Sequence, residues 1–354
     1  MKHKWILSSI VSALALIAQA QWSVQFSTTE YKLANVIFAD ETTGFAWGTP
    51  SSAGSFDLKS VLFATTNAGA TWTNIYKNDT VDFRDVFFTT TATGYIVGQS
   101  RKRSVILKTT DGGRTWASQP YQFNTEGGFH RIYFTDREHG FIFGSYGLVL
   151  HSSDAGASWA KTSKAFMPLY DVSFPGPAGY AIGRAPTMSV DGKAAIVAAI
   201  FKTSNGGANW SAIDSTKSEN GFRSFAFPTS DAGYVWSTAK DKSDSKNHAY
   251  LWKTTNGGDN WTKTKIKNII AGWLCFFDAT NGYNVTTDSI YRTANAGVSW
   301  KATAITVNPD DLYHTPRSTK SVCMAKSGLL YAVVSRSNKH MIVSYKSPNQ
   351  PGKK

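Results

Sequence analysis

Cysteine is what this chain of 354 residues has least of, and glutamate is scarce beside it. Five glutamates occur (Glu30, Glu41, Glu126, Glu138 and Glu219), a thin supply for acid–base catalysis that needs paired carboxylates. Two cysteines, Cys275 and Cys323, allow at most one disulfide. Charged residues make up only 17% of the chain, yet Lys and Arg outnumber Asp and Glu, leaving a formal charge of +13. The seven histidines lack metal-ligand spacing, so no metal is expected. No G-x-S-x-G elbow and no phosphate-binding glycine loop is present, and no cofactor is expected. Beyond the first twenty residues no apolar run is long enough to cross a membrane.

Those twenty residues read as a cleaved export signal. Lys2, His3 and Lys4 give a basic start, Trp5 to Ile17 an apolar stretch, and Ala18-Gln19-Ala20 a small-x-small cleavage site. The apolar stretch is too short for a membrane anchor. The expectation is a mature chain from Gln21, secreted or periplasmic, with a short basic tail over 347–354. Removing Lys2 and Lys4 leaves a charge of +11, a surface that draws anionic partners.

Abundant instead are aromatics, at 14%, and one repeated motif. Its copies end at Trp72, Trp116, Trp159, Trp210, Trp261 and Trp300, each reading S/T-x-D/N-x-G-x-S/T/N-W. The Asp or Asn side chain can bond amides further along and fold a tight turn. The Gly supplies a positive φ, and the Trp puts its ring into a core. Intervals of 44, 43, 51, 51 and 39 residues match a four-stranded propeller blade.

A second signature precedes each motif. An apolar first strand (Val36-Ile-Phe38, Val86-Phe-Phe88, Ile132-Tyr-Phe134 and their counterparts) leads to a Gly-aromatic pair such as Gly94-Tyr95. Seven first strands accompany six boxes. The seventh unit has three strands, near 321–325, 329–335 and 340–346, and then the chain ends. Its fourth strand is expected from Trp22–Phe26 pairing with Met341–Tyr345, which removes the open edges. The predicted fold is all-β: a seven-bladed propeller of four-stranded antiparallel blades over 21–346, closed by the N-terminal strand. Cys275 and Cys323 fall at one repeat position in adjacent units, so two buried thiols are expected rather than a disulfide.

Six in-phase copies of D/N-x-G-x-S/T/N-W resemble the Asp-box, or bacterial neuraminidase repeat. Together with the Phe-rich first strand and the Gly-aromatic pair, they look most like the photosystem II assembly-factor propellers and their secreted relatives in non-photosynthetic organisms. That resemblance covers the mature chain. It implies a binding or assembly propeller more readily than a hydrolase.

In a propeller the box turns lie on one face. The fourth-to-first and second-to-third connections lie on the other, where insertions occur at Thr49–Leu58, Ala185–Ala195 and Thr238–Ala249 and recognition usually resides. Aligning the units sets Arg84, His130, Tyr170, Arg223 and Lys320 two positions before the first-strand apolar residue. Arg131 and Trp273 stand one position before it. These seven are the candidate site, a cationic and aromatic ring at the channel mouth suited to carboxylate, sulfate or phosphate. A structural reading stands beside it: Arg84 and Arg131 pair with Asp85, Asp171 or backbone carbonyls and simply close the channel.

The favoured function is a monomeric binding or scaffold module for an anionic polysaccharide or an acidic protein; nucleic acid is not expected. The alternative is a carbohydrate-active enzyme. Sialidase chemistry wants a Tyr activated by a Glu, and no Glu falls beside Tyr170 by repeat position. A two-carboxylate glycosidase could use Asp85 and Asp171. Four glycosylation sequons, at Asn78, Asn209, Asn260 and Asn284, carry no argument because such triplets arise often by chance.

Overall fold

Each box motif closes the hairpin between the third and fourth strands of a blade. Thr109 Oγ1 accepts the Gly113 amide at 3.0 Å and donates to Asp111 Oδ1 at 2.8 Å. The same carboxylate accepts the Thr115 amide at 3.0 Å and its hydroxyl at 2.6 Å. These bonds hold Asp111 well below the usual carboxylate range, the hydroxyl of Thr115 foremost. Two successive residues, Gly112 and Gly113, take positive φ, where the motif predicts it only for the second. In blades 1, 3 and 6 the first of the pair is Ala68, Ala155 or Ala296, at φ of 53°, 54° and 59°.

The protein is described by a computed structural model covering residues 22–54, 57–121, 128–162, 169–188, 194–216, 221–241, 243–286, 289–304, 318–324, 329–336 and 339–345. The side chains of residues 22, 187–188, 194–195, 215–216, 303–304, 318–324 and 336 lie outside that description. So do residues 1–21, where an export signal is expected, residues 346–354, where a basic tail is expected, and the side chain of Cys323, which leaves the expected thiol pair undescribed.

Seven four-stranded antiparallel sheets follow one another, each in the order first, second, third, fourth strand. Blade 2 is typical, with strands Val81–Phe88, Gly94–Ser100, Ser104–Thr109 and Ala117–Ser118. The fourth strand starts just after the box Trp rather than at it, and in blades 2 and 3 it is only two residues long. Blade 7 comprises Ser318–Met324, Leu330–Arg336 and Lys339–Tyr345, completed by Trp22–Thr28. Trp22 pairs with Tyr345 and Phe26 with Ile342, as the closure requires.

The core consists of seven apolar clusters, one in each gap between neighbouring blades. Three rings recur at its box end. The aromatic of the Gly-aromatic pair stacks on the last Phe of the next blade's first strand, as Tyr95 on Phe134 with centroids 4.2 Å apart. That Phe stands edge-on to its own box Trp, as Phe134 to Trp159 at 6.0 Å and 81°. The same Phe explains the glycine: a Cβ at Gly94 would lie 2.6 Å from the Phe88 ring.

Tyrosine adds a polar tie across the gaps. Tyr95 Oη donates to the carbonyl of Ala155 in the next blade's box at 2.7 Å. Tyr180 reaches Gly257 and Ser230, and Tyr331 of blade 7 reaches Ala68 of blade 1. Lys108 Nζ joins Tyr95 on the Ala155 carbonyl at 2.7 Å.

Two expected loop insertions are paired strands instead. In blade 4 the second and third strands, Gly179–Met188 and Ala194–Thr203, run in continuous register through Ala185–Val197 and on to Met188–Ala194. In blade 5 the ladder continues past Thr238–Ala249 to Lys240–Asn247. Extra length at these positions keeps its backbone bonds satisfied by lengthening a hairpin.

Candidate functional site

The residues aligned two positions before the first-strand apolar residue share one backbone feature. In blades 1 to 5 and in blade 7 the pairing of first and second strands slips there, between 33 and 35, 83 and 85, 129 and 131, 169 and 171, 222 and 224, and 319 and 321. Ala34, Arg84, His130, Tyr170, Arg223 and Lys320 are therefore β-bulge residues, each an extra residue opposite a regular ladder. A bulge turns its side chain out of the pleat, and Arg84, His130, Tyr170 and Arg223 are exposed. A glycine on the second strand admits the bulge: a Cβ at Gly98 would lie 2.5 Å from the carbonyl of Asp82. Blade 6 has no bulge. There Gly272 donates to Asn284 Oδ1 at 2.9 Å, and Trp273 enters the strand half-buried and paired with Val285.

Arg84 and His130 sit within electrostatic reach of one another. Burial first, and the Arg84 charge second, push His130 below its ordinary value. Arg84 pairs with Asp82 at 2.9 Å, on its own strand, while His130 Nε2 meets Ser145 Oγ at 2.8 Å. Arg223 has no acidic partner among the described residues. The Lys320 side chain lies outside the described residues.

Arg131 is different. Its Nη2 lies 2.6 Å from Asp171 Oδ1 and its Nε 3.7 Å from Asp85 Oδ2. The guanidinium thus bridges blades 2, 3 and 4. Asp85 is buried and also accepts the Ile132 amide at 3.0 Å. Burial pushes its carboxyl up to about 6 against the opposing pull of Arg131. Asp171 is raised for the same reason. The ion pair meets the structural reading for Arg131, whereas Arg84 takes Asp82, a partner the repeat alignment does not offer. One guanidinium thus faces both carboxylates, closely at Asp171 and more loosely at Asp85.

Tyr146 was not visible as a candidate from repeat position. It is 73% exposed at φ 56°, in the second-to-third connection of blade 3 beside Ser145, the partner of His130. An exposed aromatic held in left-handed backbone is a strained feature of the kind that clusters at binding sites. The only sequence cue is Ser145-Tyr-Gly147 in place of a charged hairpin tip.

Residues 64–246 match the family described as photosynthesis system II assembly factor YCF48, just over half of the chain. The chain belongs to that family. A rice relative, the chloroplastic photosystem II stability/assembly factor HCF136, is 31% identical over 173 residues, or 46% of this chain and 38% of that protein. The photosystem II assembly lipoprotein Ycf48 of Synechococcus sp. (strain CC9902) is 32% identical over 120 residues, 34% of this chain and 33% of that one. The chain thus spans well under half the length of these curated relatives. Among solved structures, one described as YCF48 bound to D1 peptide superposes with a TM-score of 0.63 at 15% identity. It covers 92% of this chain and 97% of that one. At that identity the likeness is one of fold. Among the described residues no group of His, Cys, Asp and Glu is arranged to hold a metal ion, and no helix is long and apolar enough to cross a membrane.

Proposed function

We propose that this protein is a binding and assembly propeller that docks an acidic segment of another protein on its bulged face. The observation that carries the reading is the run of bulges. They present Arg84, His130, Tyr170 and Arg223 from four consecutive blades, at one end of the ring, on a chain of charge +13. Guanidinium forks suit carboxylates, and Tyr170 and Tyr146 add amphipathic contact area. A family member solved with a bound peptide supports a polypeptide partner over a polysaccharide. The two family relatives are assembly factors by description, which supports a non-enzymatic role. The first twenty residues support export before the protein acts.

The test is fluorescence anisotropy of the mature chain with a labelled octaglutamate peptide at 0.15 M salt, where diffuse attraction is screened beyond about 8 Å. An Arg84→Ala/Arg223→Ala double variant should lose at least tenfold in affinity, and a Lys161→Ala/Lys301→Ala control should lose little. Equal losses would make the arginines part of a diffuse field and end the proposal. Tighter binding to polygalacturonate than to the peptide, lost in the same Arg84→Ala/Arg223→Ala variant, would move the partner of the bulged face to the glycans.

A further inference from the structure

The six box turns are sealed against the preceding blade in different ways, and one seal is missing. Between blades 2 and 3, Tyr95 and Lys108 both donate to the Ala155 carbonyl, with the ammonium 5.6 Å from the Tyr95 ring centre. Between blades 4 and 5, Tyr180 reaches Gly257 and Ser230 while Lys202 meets Asp259 at 3.3 Å. Tyr234 reaches Ala279 between blades 5 and 6, and Tyr331 reaches Ala68 at the closure. Between blades 3 and 4 the tyrosine is Phe141, and His151 stacks on it at 4.8 Å.

Between blades 1 and 2 both sealing groups are gone. Phe45 stands at the tyrosine position and Ala64 at the lysine position. A cleft of about 420 Å³ opens there, lined by Phe45, Ala64, Ile75, Thr91, Gly112 and Arg114 among others. Gly112 and Thr91 occupy the repeat positions of Gly257 and Ser230, whose carbonyls receive the Tyr180 hydroxyl. Among the described residues no donor reaches the carbonyl of Gly112 or of Thr91. The two sites lie close together, since a Cβ on Gly112 would come within 3.3 Å of the Thr91 oxygen. Ile75 gives an apolar patch at the base, where the Phe45 ring is buried against Phe88, and Thr66, Thr71 and Thr73 line the wall, the Thr71 hydroxyl accepting from Asn67. Arg114 is exposed at the rim, its Nη1 on the Asp111 carbonyl at 3.2 Å, and adds a cation.

We propose that this cleft binds a hydroxylated carboxylate of about one sugar ring, a hexuronate. Its hydroxyls donate to the Gly112 and Thr91 carbonyls, its carbon face rests on Ile75, and its carboxylate meets the Arg114 donors that the Asp111 carbonyl leaves open. The volume lies within the range of small-ligand clefts, and the largely polar lining suits a polyhydroxylated ligand. A free sugar acid and a uronate at the end of a polysaccharide present the same chemistry. The site is on the box face and does not depend on the bulged face or its partner.

The other blades supply the test, because they show which side chains fill this space. Phe45→Tyr/Ala64→Lys restores both groups and should fold with a melting temperature equal to or above the parent's. Glucuronate and trigalacturonate would be titrated by calorimetry and by amide shifts at Gly112. Parent protein should bind glucuronate at least tenfold tighter than glucose, and the filled variant should lose at least tenfold. Arg114→Gln should bring glucuronate and glucose to equal affinity, and it carries the test alone if the filled variant fails to fold. Tighter binding of trigalacturonate than of the monomer would identify a polysaccharide as the source. Unchanged binding in the filled variant, an Arg114→Gln variant that still prefers glucuronate, or no binding by the parent at about 10 mM ligand would each overturn the proposal.

Discussion

The hydroxyl of Tyr331, in the last blade, donates to the carbonyl of Ala68, in the first blade's box, at 2.8 Å. This bond spans 263 residues of sequence and closes the ring beside the strand Trp22–Thr28. Phe26 of that strand meets Phe63 of blade 1 with ring centres 5.1 Å apart, so the closing strand also fills a gap between blades. Removing residues 22–28 should therefore lower the melting temperature sharply. It also uncovers the edge of the strand Lys339–Tyr345, and an unpaired edge invites association. Calorimetry and gel filtration measure both effects; a monomer of unchanged melting temperature would refute closure by this strand.

The tyrosine ties differ in how far a second donor backs each one. Ala155 accepts from both Tyr95 and Lys108, at 2.7 Å each. Losing one donor leaves the carbonyl satisfied, so Tyr95→Phe should cost less than about 0.5 kcal/mol, below the usual 0.5–1.5 kcal/mol for a hydrogen bond. Lys108→Met should cost similarly little alone, and the double variant should cost more than the sum. Strict additivity in urea denaturation would show that the two donors do not substitute for one another.

Box residues should act on stability and leave partner binding intact. Gly156 has φ 72°, and a Cβ there would come within 2.7 Å of the Tyr95 ring, so Gly156→Ala meets both backbone strain and a neighbouring blade. A cost of roughly 2 kcal/mol or more is expected from the left-handed backbone and the clash together. Trp159→Ala should cost about 3 kcal/mol, the low end for a buried aromatic. Its indole Nε1 is buried without a partner, and truncation removes that orphan donor. Loss of octaglutamate affinity in either variant while still folded would put the partner on the wrong face.

The fold was legible because its determinants repeat. The box side chains bond within their own turn and the Trp meets the first-strand Phe of its own blade, while the glycine abuts the preceding blade, so six copies declare six hairpins. That the aligned residues share one backbone position was legible, and their geometry was less so. Arg84 and His130 project outward because of a bulge, and the cue for it, a second glycine four residues after the first as in Gly94-Tyr-Ile-Val-Gly98, does not by itself say which strand carries the extra residue. Arg131 shows the other limit. Its partners come from the blades on either side, 46 and 40 residues away in sequence (Asp85 and Asp171). Repeat alignment names such groups without deciding which of them touch.

The Asp85–Arg131–Asp171 bridge should leave a signature in the pH dependence of stability. Asp85 has a folded value of about 6 against an ordinary 3.8, raised by burial. A raised carboxyl binds its proton more tightly in the folded state. Its contribution to stability is therefore fully present below pH 3.8 and is lost as pH rises through about 6. Asp85→Asn keeps an oxygen for the Ile132 amide and removes the titration. The stability of the parent relative to Asp85→Asn should thus increase as pH falls from 7 to 4, by up to about 3 kcal/mol. Asp171, also raised by burial and close enough to act on Asp85, tempers that figure because it titrates in the same cluster, while Arg131 stays charged throughout. Urea denaturation of both proteins at pH 7, 6, 5 and 4 gives the difference directly. A difference that stays flat, or that grows toward neutral pH, would mean that Arg131 holds Asp85 ionised throughout, and that the bridge is a net stabilising ion pair.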